Sequence, residues 1–344
     1  MTKQRIEYVD AAKAIAIILV IFAHCHYMIE FPRLGNLIYS FHMPLFFIVS
    51  GFFLKEMTTK KAIGKYSSAY LWPYLVLVIS SILLETAISY WKSGGAGFNL
   101  AEKILGLIYG NPYQRDEVMF GKLYGVSNAW FFLAIFWACS ILSTSMHYLK
   151  KEEVVLMSLL SLGFGAFVSR KIQLPFEISA GLTAVAYIYI GKVLAIYHVI
   201  NRIENIRLSL LGLAVFVFVL LSNAGRVAMN ISYLGYSVFG LFCSMVGSIF
   251  ILFLCKHFDL KGGWIGRNTL YVFVAHSLIQ CLEKALNLDF TFTEFSILNL
   301  FFNAILDIFG ALLLGYFLQY THILEYKKLF KQHEHNNIDR VLNI

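Results

Sequence analysis

The sequence predicts an all-α chain: a polytopic integral membrane helix bundle of about ten transmembrane helices, forming one domain over residues 1–344. Three observations carry that prediction. The chain is 59% hydrophobic and only 14% charged, with a mean hydropathy of +0.69, whereas soluble domains carry roughly 25% charged residues. So much apolar surface has no room in the interior of a soluble protein of this length. The apolar residues also come in long runs, each near the ~20 residues that cross a hydrocarbon core. Finally, the basic residues gather in short clusters between the runs. That is the pattern of membrane topology, not of a nucleic-acid surface.

The runs are 10–30, 37–54, 69–91, 128–147, 154–170, 177–197, 208–222, 233–255, 264–282 and 295–321. The first has Asp10 and Lys13 at its head and no small-residue cleavage site, so it reads as a retained span and not as a signal peptide. In the second, "FHMPLFFIVSGFF" places Pro44 where it kinks or opens a helix, and Gly51 with Ser50 permits close helix contact. The long connection 92–127 contains a short amphipathic helix, Leu100 to Tyr109, expected at the interface. The five cysteines (Cys25, Cys139, Cys243, Cys255, Cys281) read as small core residues, with neither disulfide nor metal spacing. No soluble domain, internal repeat or nucleotide-binding loop is legible.

An even number of spans puts both termini on one side. Lys55, Lys60, Lys61, Lys65, Lys150 and Lys151 share that side. Arg33, Lys92, Lys103, Arg115, Lys122, Arg170, Lys171, Arg226 and Lys284 fall on the other. Those nine of the 28 basic residues leave 19 with the termini, which are therefore expected in the cytoplasm.

Ionisable side chains within spans are costly and face protein or water, so they are the first functional candidates. Lys13 and His24 lie eleven steps apart on one helix, which returns them to within about 20° of one another and separates them by about 16 Å along the axis. Asp10 sits one turn below Lys13. One face thus carries an acid–base pair at the cytoplasmic edge and an imidazole in the outer half of the membrane. His42 and His276 fall at similar depths in the second and ninth runs, so the three histidines are expected to line one interior cavity. His26 and Glu30 have the spacing of an ion pair at the outer mouth, and Glu85 and Asp307 are further buried carboxylates. Ser50 reads either as a nucleophile or as a packing residue. No Ser-His-Asp order, zinc spacing or phosphate loop is present. Histidines without a thiol or metal point to general-base or acyl-imidazole chemistry, and equally to a proton relay in a transporter. The residues alone leave both open.

"RIEYVDAAKAIAIILVIFAH" followed by "FHMPLFFIVSGFF" resembles the acyltransferase family 3 of membrane proteins, and within it the branch of fucose 4-O-acetylases and surface-polysaccharide O-acetyltransferases. That family has a basic residue separated by ten residues from a histidine in its first span, here Lys13 and His24. Its Pro-Leu-Phe-Phe and Ser-Gly-aromatic elements match Pro44 to Phe47 and Ser50 to Phe52. "YLWPYLVL", "AWFFLAIF" and "IGRNTLYVFVAH" match later segments more loosely. Lys13 stands where arginine is common, and Tyr70 stands where a basic residue usually precedes the third-span proline, leaving Lys61 and Lys65 as substitutes.

The resemblance implies transfer of an acyl group, usually acetyl, from cytoplasmic acyl-CoA to a sugar hydroxyl of a cell-surface polysaccharide or its lipid-linked precursor. Acetyl-CoA enters as a co-substrate, with no tightly bound cofactor, no metal and no nucleic-acid partner. His24 is then the general base or the acyl carrier, working with Lys13 and Asp10, while His42, His276 and Ser50 border the acceptor. Arg267, Lys61, Lys65 and Lys13 lie near the inner face, where cations complement donor phosphates. The implied setting is the bacterial inner membrane, with both termini cytoplasmic. The rival expectation is a polysaccharide or solute transporter using the same histidines. Such transporters often show inverted repeats with broken helices, and none is legible.

Overall fold

The computed structural model describes residues 5–94, 99–110, 115–118, 121–123, 125, 127–169, 172, 174–203, 212, 229, 238–286, 288 and 290–326. Among them are thirteen α-helices: α1 Glu7–His24, α2 Pro32–Phe52, α3 Thr59–Tyr66, α4 Trp72–Ser93, α5 Leu100–Tyr109, α6 Trp130–Tyr148, α7 Lys151–Ser169, α8 Ile178–Ile196, α9 Val199–Ile203, α10 Val238–His257, α11 Gly263–Arg267, α12 Thr269–Leu286 and α13 Ser296–Thr321. The described β structure is one antiparallel pair, β1 Arg115–Val118 with β2 Gly121–Leu123.

Seven stretches among the described residues are long and apolar enough to cross a membrane: α2, α3 running through a π-turn into α4, α6, α7, α8 with its preceding turn, most of α10, and α13. The α1 helix carries Glu7, Asp10 and Lys13, and α12 carries His276, Gln280, Glu283 and Lys284. Their polar content keeps both below the apolarity of a simple span. The predicted run 208–222 lies outside the described residues apart from residue 212. Outward-facing side chains support a lipid solvent. Phe164 and Phe167 of α7 and Ile305 and Phe309 of α13 are all exposed, Phe309 at 66%. A patch of such size on a water-soluble surface marks an interaction face or an aggregation hazard.

Several boundaries differ from expectation for local reasons. The first run, read as 10–30, is α1 followed by a 3₁₀ turn, His26–Glu30, because Cys25 leaves the helical region with ψ 137°. Its i,i+4 spacing of His26 and Glu30 therefore does not fall on an α-helical face. The second run begins at Pro32, seated at the first turn where its missing N–H is no loss. Pro44 lies inside α2, which continues past it to Phe52. The ninth run divides at Asn268 into α11 and α12.

The predicted amphipathic helix forms with the bounds expected of it. Asn99 caps α5 by accepting hydrogen bonds from the Ala101 and Glu102 amides and donating to Glu102 Oε1 at 3.0 Å. Gly110 ends it at φ 74°, a conformation open to glycine at little cost.

Packing places α1 at the centre, against α2, α10, α11, α12 and α13. The α2 and α8 helices meet at Gly51 and Gly191, where a β-carbon on either residue would run into the backbone of the other helix. The start of α1 is approached just as closely by Gly262 and Gly266, which rest on the Asp10 backbone. All five cysteines are buried and free.

Candidate active site

The C-terminal end of α1 and the middle of α2 and α12 bring three imidazoles into one cluster. His24 and His276 rings pack edge to face with centroids 5.7 Å apart. Tyr39, one turn before His42 on α2, meets His24 and His42 edge to face, 5.8 Å from the His24 ring and 5.1 Å from the His42 ring. His42 and His276 are fully buried. Among the described residues, no three His, Cys, Asp or Glu side chains converge as metal ligands.

Hydrogen bonds fix the tautomers of two of these rings. His24 Nδ1 lies 2.8 Å from the Val20 carbonyl, and His42 Nδ1 lies 2.8 Å from the Ile38 carbonyl. A carbonyl oxygen only accepts, so each Nδ1 carries the proton and each neutral ring keeps a bare lone pair on Nε2. No described residue bonds either Nε2. His276 differs: neither of its ring nitrogens has a hydrogen-bond partner among the described residues. A buried unpaired nitrogen costs roughly 1–3 kcal/mol, so the cluster retains unspent hydrogen-bonding capacity deep in an apolar bundle.

The other end of α1 holds the predicted ion pair. Lys13 Nζ lies 2.5 Å from Asp10 Oδ1, with Asp10 buried and Lys13 partly exposed. Arg267, exposed at the end of α11, sits next to Gly266 and therefore beside the start of α1. About eleven helical residues, ~16 Å, separate Lys13 from His24. One helix thus carries a lysine–carboxylate pair at one end and an imidazole at the other.

A family model described as an acyltransferase domain, acyltransferase family 3, matches residues 6–323. The chain belongs to the acyltransferase-3 family. No curated protein and no solved structure matches it. Together with its apolar helices, the match makes the chain a membrane acyltransferase.

The acyltransferase does not bring every predicted site residue to the cluster. Ser50 donates its hydroxyl proton to the Phe46 carbonyl at 2.8 Å, one turn back on α2, beside the Gly51 contact with α8. A hydroxyl so engaged packs one helix on another. Lys61 and Lys65 are exposed on α3, which packs principally against α6, with Lys65 Nζ over the Tyr66 ring at 4.9 Å. Glu85 is taken up by Lys103 of α5 at 2.7 Å and receives the Cys281 thiol at 3.3 Å. Lys103 is buried in that pair. Asp307 is buried on α13.

Three residues of the site escaped sequence reasoning. Tyr39 is at i−3 from His42, so helical spacing alone could have placed it on the same face. Gln280 is at i+4 from His276 and donates from Nε2 to the His24 backbone carbonyl at 3.2 Å. Asn128, before α6, donates to Gln280 Oε1 at 2.7 Å. Nothing local in the sequence links Asn128 to Gln280 of α12, because that bond closes across the fold.

Proposed function

We propose that this acyltransferase moves an acyl group, acetyl in the first instance, from cytoplasmic acyl-CoA to a sugar hydroxyl of a bacterial surface polysaccharide or its lipid-linked precursor. One observation carries the reading: His24 spends its N–H on Val20, its Nε2 is bonded by no described residue, and its ring packs against that of His276. A neutral imidazole held in that tautomer is a general base. In the proposed step the acceptor hydroxyl gives its proton to His24 Nε2 as its oxygen attacks the acyl carbon. The thioester carbon–sulfur bond then breaks, and the departing thiolate takes the proton from His24. The products are the sugar ester and free CoA.

The two ends of α1 divide the work. Donor phosphates meet Lys13 and Arg267, while the thioester reaches His24. Lys13→Ala is expected to raise the KM for acetyl-CoA by about 10–100-fold, the loss of one charge-assisted contact, with a smaller fall in kcat. Lys13→Arg keeps the charge and should change either constant by only a few-fold. Steady-state kinetics with acetyl-CoA as the varied substrate checks both.

The purified protein, given labelled acetyl-CoA and a panel of sugar acceptors, should form labelled sugar ester. If the label stays on CoA for every acceptor while proteoliposomes move a saccharide, the protein is a transporter. The ten-span arrangement with cytoplasmic termini belongs to the same proposal. A reporter fused after residue 344 should be active only in its cytoplasmic form.

A further inference from the structure

The three imidazoles are not chemically equivalent, and the difference assigns a second role in the reaction. A neutral imidazole has one N–H and one lone pair. His24 and His42 both give their N–H to the helix carbonyl one turn back. What each has left is an acceptor. His276 gives its N–H to no described residue, and neither nitrogen accepts from one. Whichever tautomer it adopts, it holds one free donor and one free acceptor, fully buried. Among the three rings, the cluster's free N–H belongs to His276.

Acyl transfer makes two demands at one carbon. A base must take the hydroxyl proton, and a donor must meet the negative charge that grows on the acyl oxygen. His24, with only a lone pair, meets the first demand and is unsuited to the second. The His276 ring stands 5.7 Å away, centroid to centroid, at 66° to the His24 ring. No hydrogen bond joins the two rings. Two rings so spaced and crossed can address different oxygens of a single tetrahedral carbon between them.

We infer that His276 is a catalytic residue that donates its N–H to the acyl oxygen as the tetrahedral intermediate forms, while His24 takes the proton from the acceptor hydroxyl. This deepens the acyl-transfer reading above and rests on it. The donor is fixed in place before the reaction, because α12 packs on α4 and α13 and Gln280, one turn further along α12, ties that helix to the His24 carbonyl. A preset donor in a water-poor site stabilises developing charge without reorganisation. His42, with an acceptor alone, falls to a neighbouring hydroxyl of the sugar and not to the oxyanion.

The test compares two replacements in the full-length protein in detergent or nanodiscs. His276→Phe keeps a ring of similar volume in an apolar bed but has no N–H. His276→Gln restores an N–H donor on a flexible arm. The Phe variant should lose about 10²–10³-fold in kcat, the usual cost of one oxyanion donor, with acetyl-CoA and acceptor KM changed by only a few-fold. The Gln variant should regain at least about tenfold over Phe. Should the Phe variant not accumulate in the membrane, Leu supplies the same comparison. A Phe or Leu variant within about threefold of wild type overturns the inference. So does a Gln variant no better than Phe, since the lost feature is then not hydrogen-bond donation. Wild-type protein that transfers no acyl group at all removes the underlying reading, which separates that failure from this one.

Discussion

His24→Ala is expected to lower acyl transfer by about 10²–10⁴-fold while leaving a folded, membrane-inserted protein. The magnitude is that of a positioned base, about 2.7–5.5 kcal/mol of barrier at 1.36 kcal/mol per tenfold. The fold should survive, because the one hydrogen bond that the His24 ring makes among the described residues is local, to Val20 on the same helix. The tie from α12 reaches the His24 backbone carbonyl, which alanine retains. Size-exclusion behaviour in detergent and a turnover assay at saturating acetyl-CoA read the two effects separately. Donor alone should leave the protein unacylated, because in this scheme the acyl group passes directly to the sugar. An acyl adduct on His24, found by mass spectrometry of protein incubated with donor, changes its role from base to carrier. Near-normal turnover in His24→Ala would make the imidazole structural.

The second large effect is on stability. Gly191→Leu should prevent α2 and α8 from closing on one another. Even a β-carbon at Gly191 would lie 2.6 Å from the Ile48 carbonyl carbon and 3.0 Å from its Cα, with the Ile48 oxygen closer still. The obstacle is backbone on both sides, since a β-carbon at Gly51 would sit 2.7 Å from the Lys192 amide nitrogen. A side-chain neighbour can rotate away, whereas a helix backbone can only move as a body. Overpacking ordinarily costs about 1–3 kcal/mol. This site is expected at or above the top of that range, seen as a loss of monodisperse protein and a lowered melting temperature in detergent. Gly163→Ala on α7 is the control: nothing lies within 4 Å of the added carbon, and stability should be unchanged. Equal stability of Gly191→Leu and wild type would mean that α2 and α8 do not touch here.

The elements were legible because lipid forces each span to satisfy its own backbone hydrogen bonds. Apolar length therefore announces the helix, and the runs at 128–147, 177–197 and 295–321 match α6, α8 and α13 within a few residues. The amphipathic α5 was readable from its own spacing and from Asn99 before it. Breaks were harder. Nothing in composition marked the turn at Cys25, because an apolar residue favours neither outcome and the packing of neighbouring helices selects one. Asn268, a residue type that favours helix ends, did carry a local signal for the division there.

Of the site, the sequence by itself determined what lies on a single helix: Asp10, Lys13 and His24 on one stripe of α1, and the depth of His42 and His276 along their own runs. Helix geometry is a fixed rule, so spacing converts directly to position. Only the tertiary structure decided which of these groups meet and which are already engaged. It joined His24 to His276 and Tyr39, sent Ser50 back to Phe46, and closed Glu85 onto Lys103. It also separated the histidines into two whose N–H is spent on a carbonyl and one whose N–H is free. The physical reason is that a hydrogen bond needs its partner within about 3 Å and well aligned. Such alignment depends on rotamers and helix crossings set by the whole bundle, to which the spacing of residues along one chain is blind.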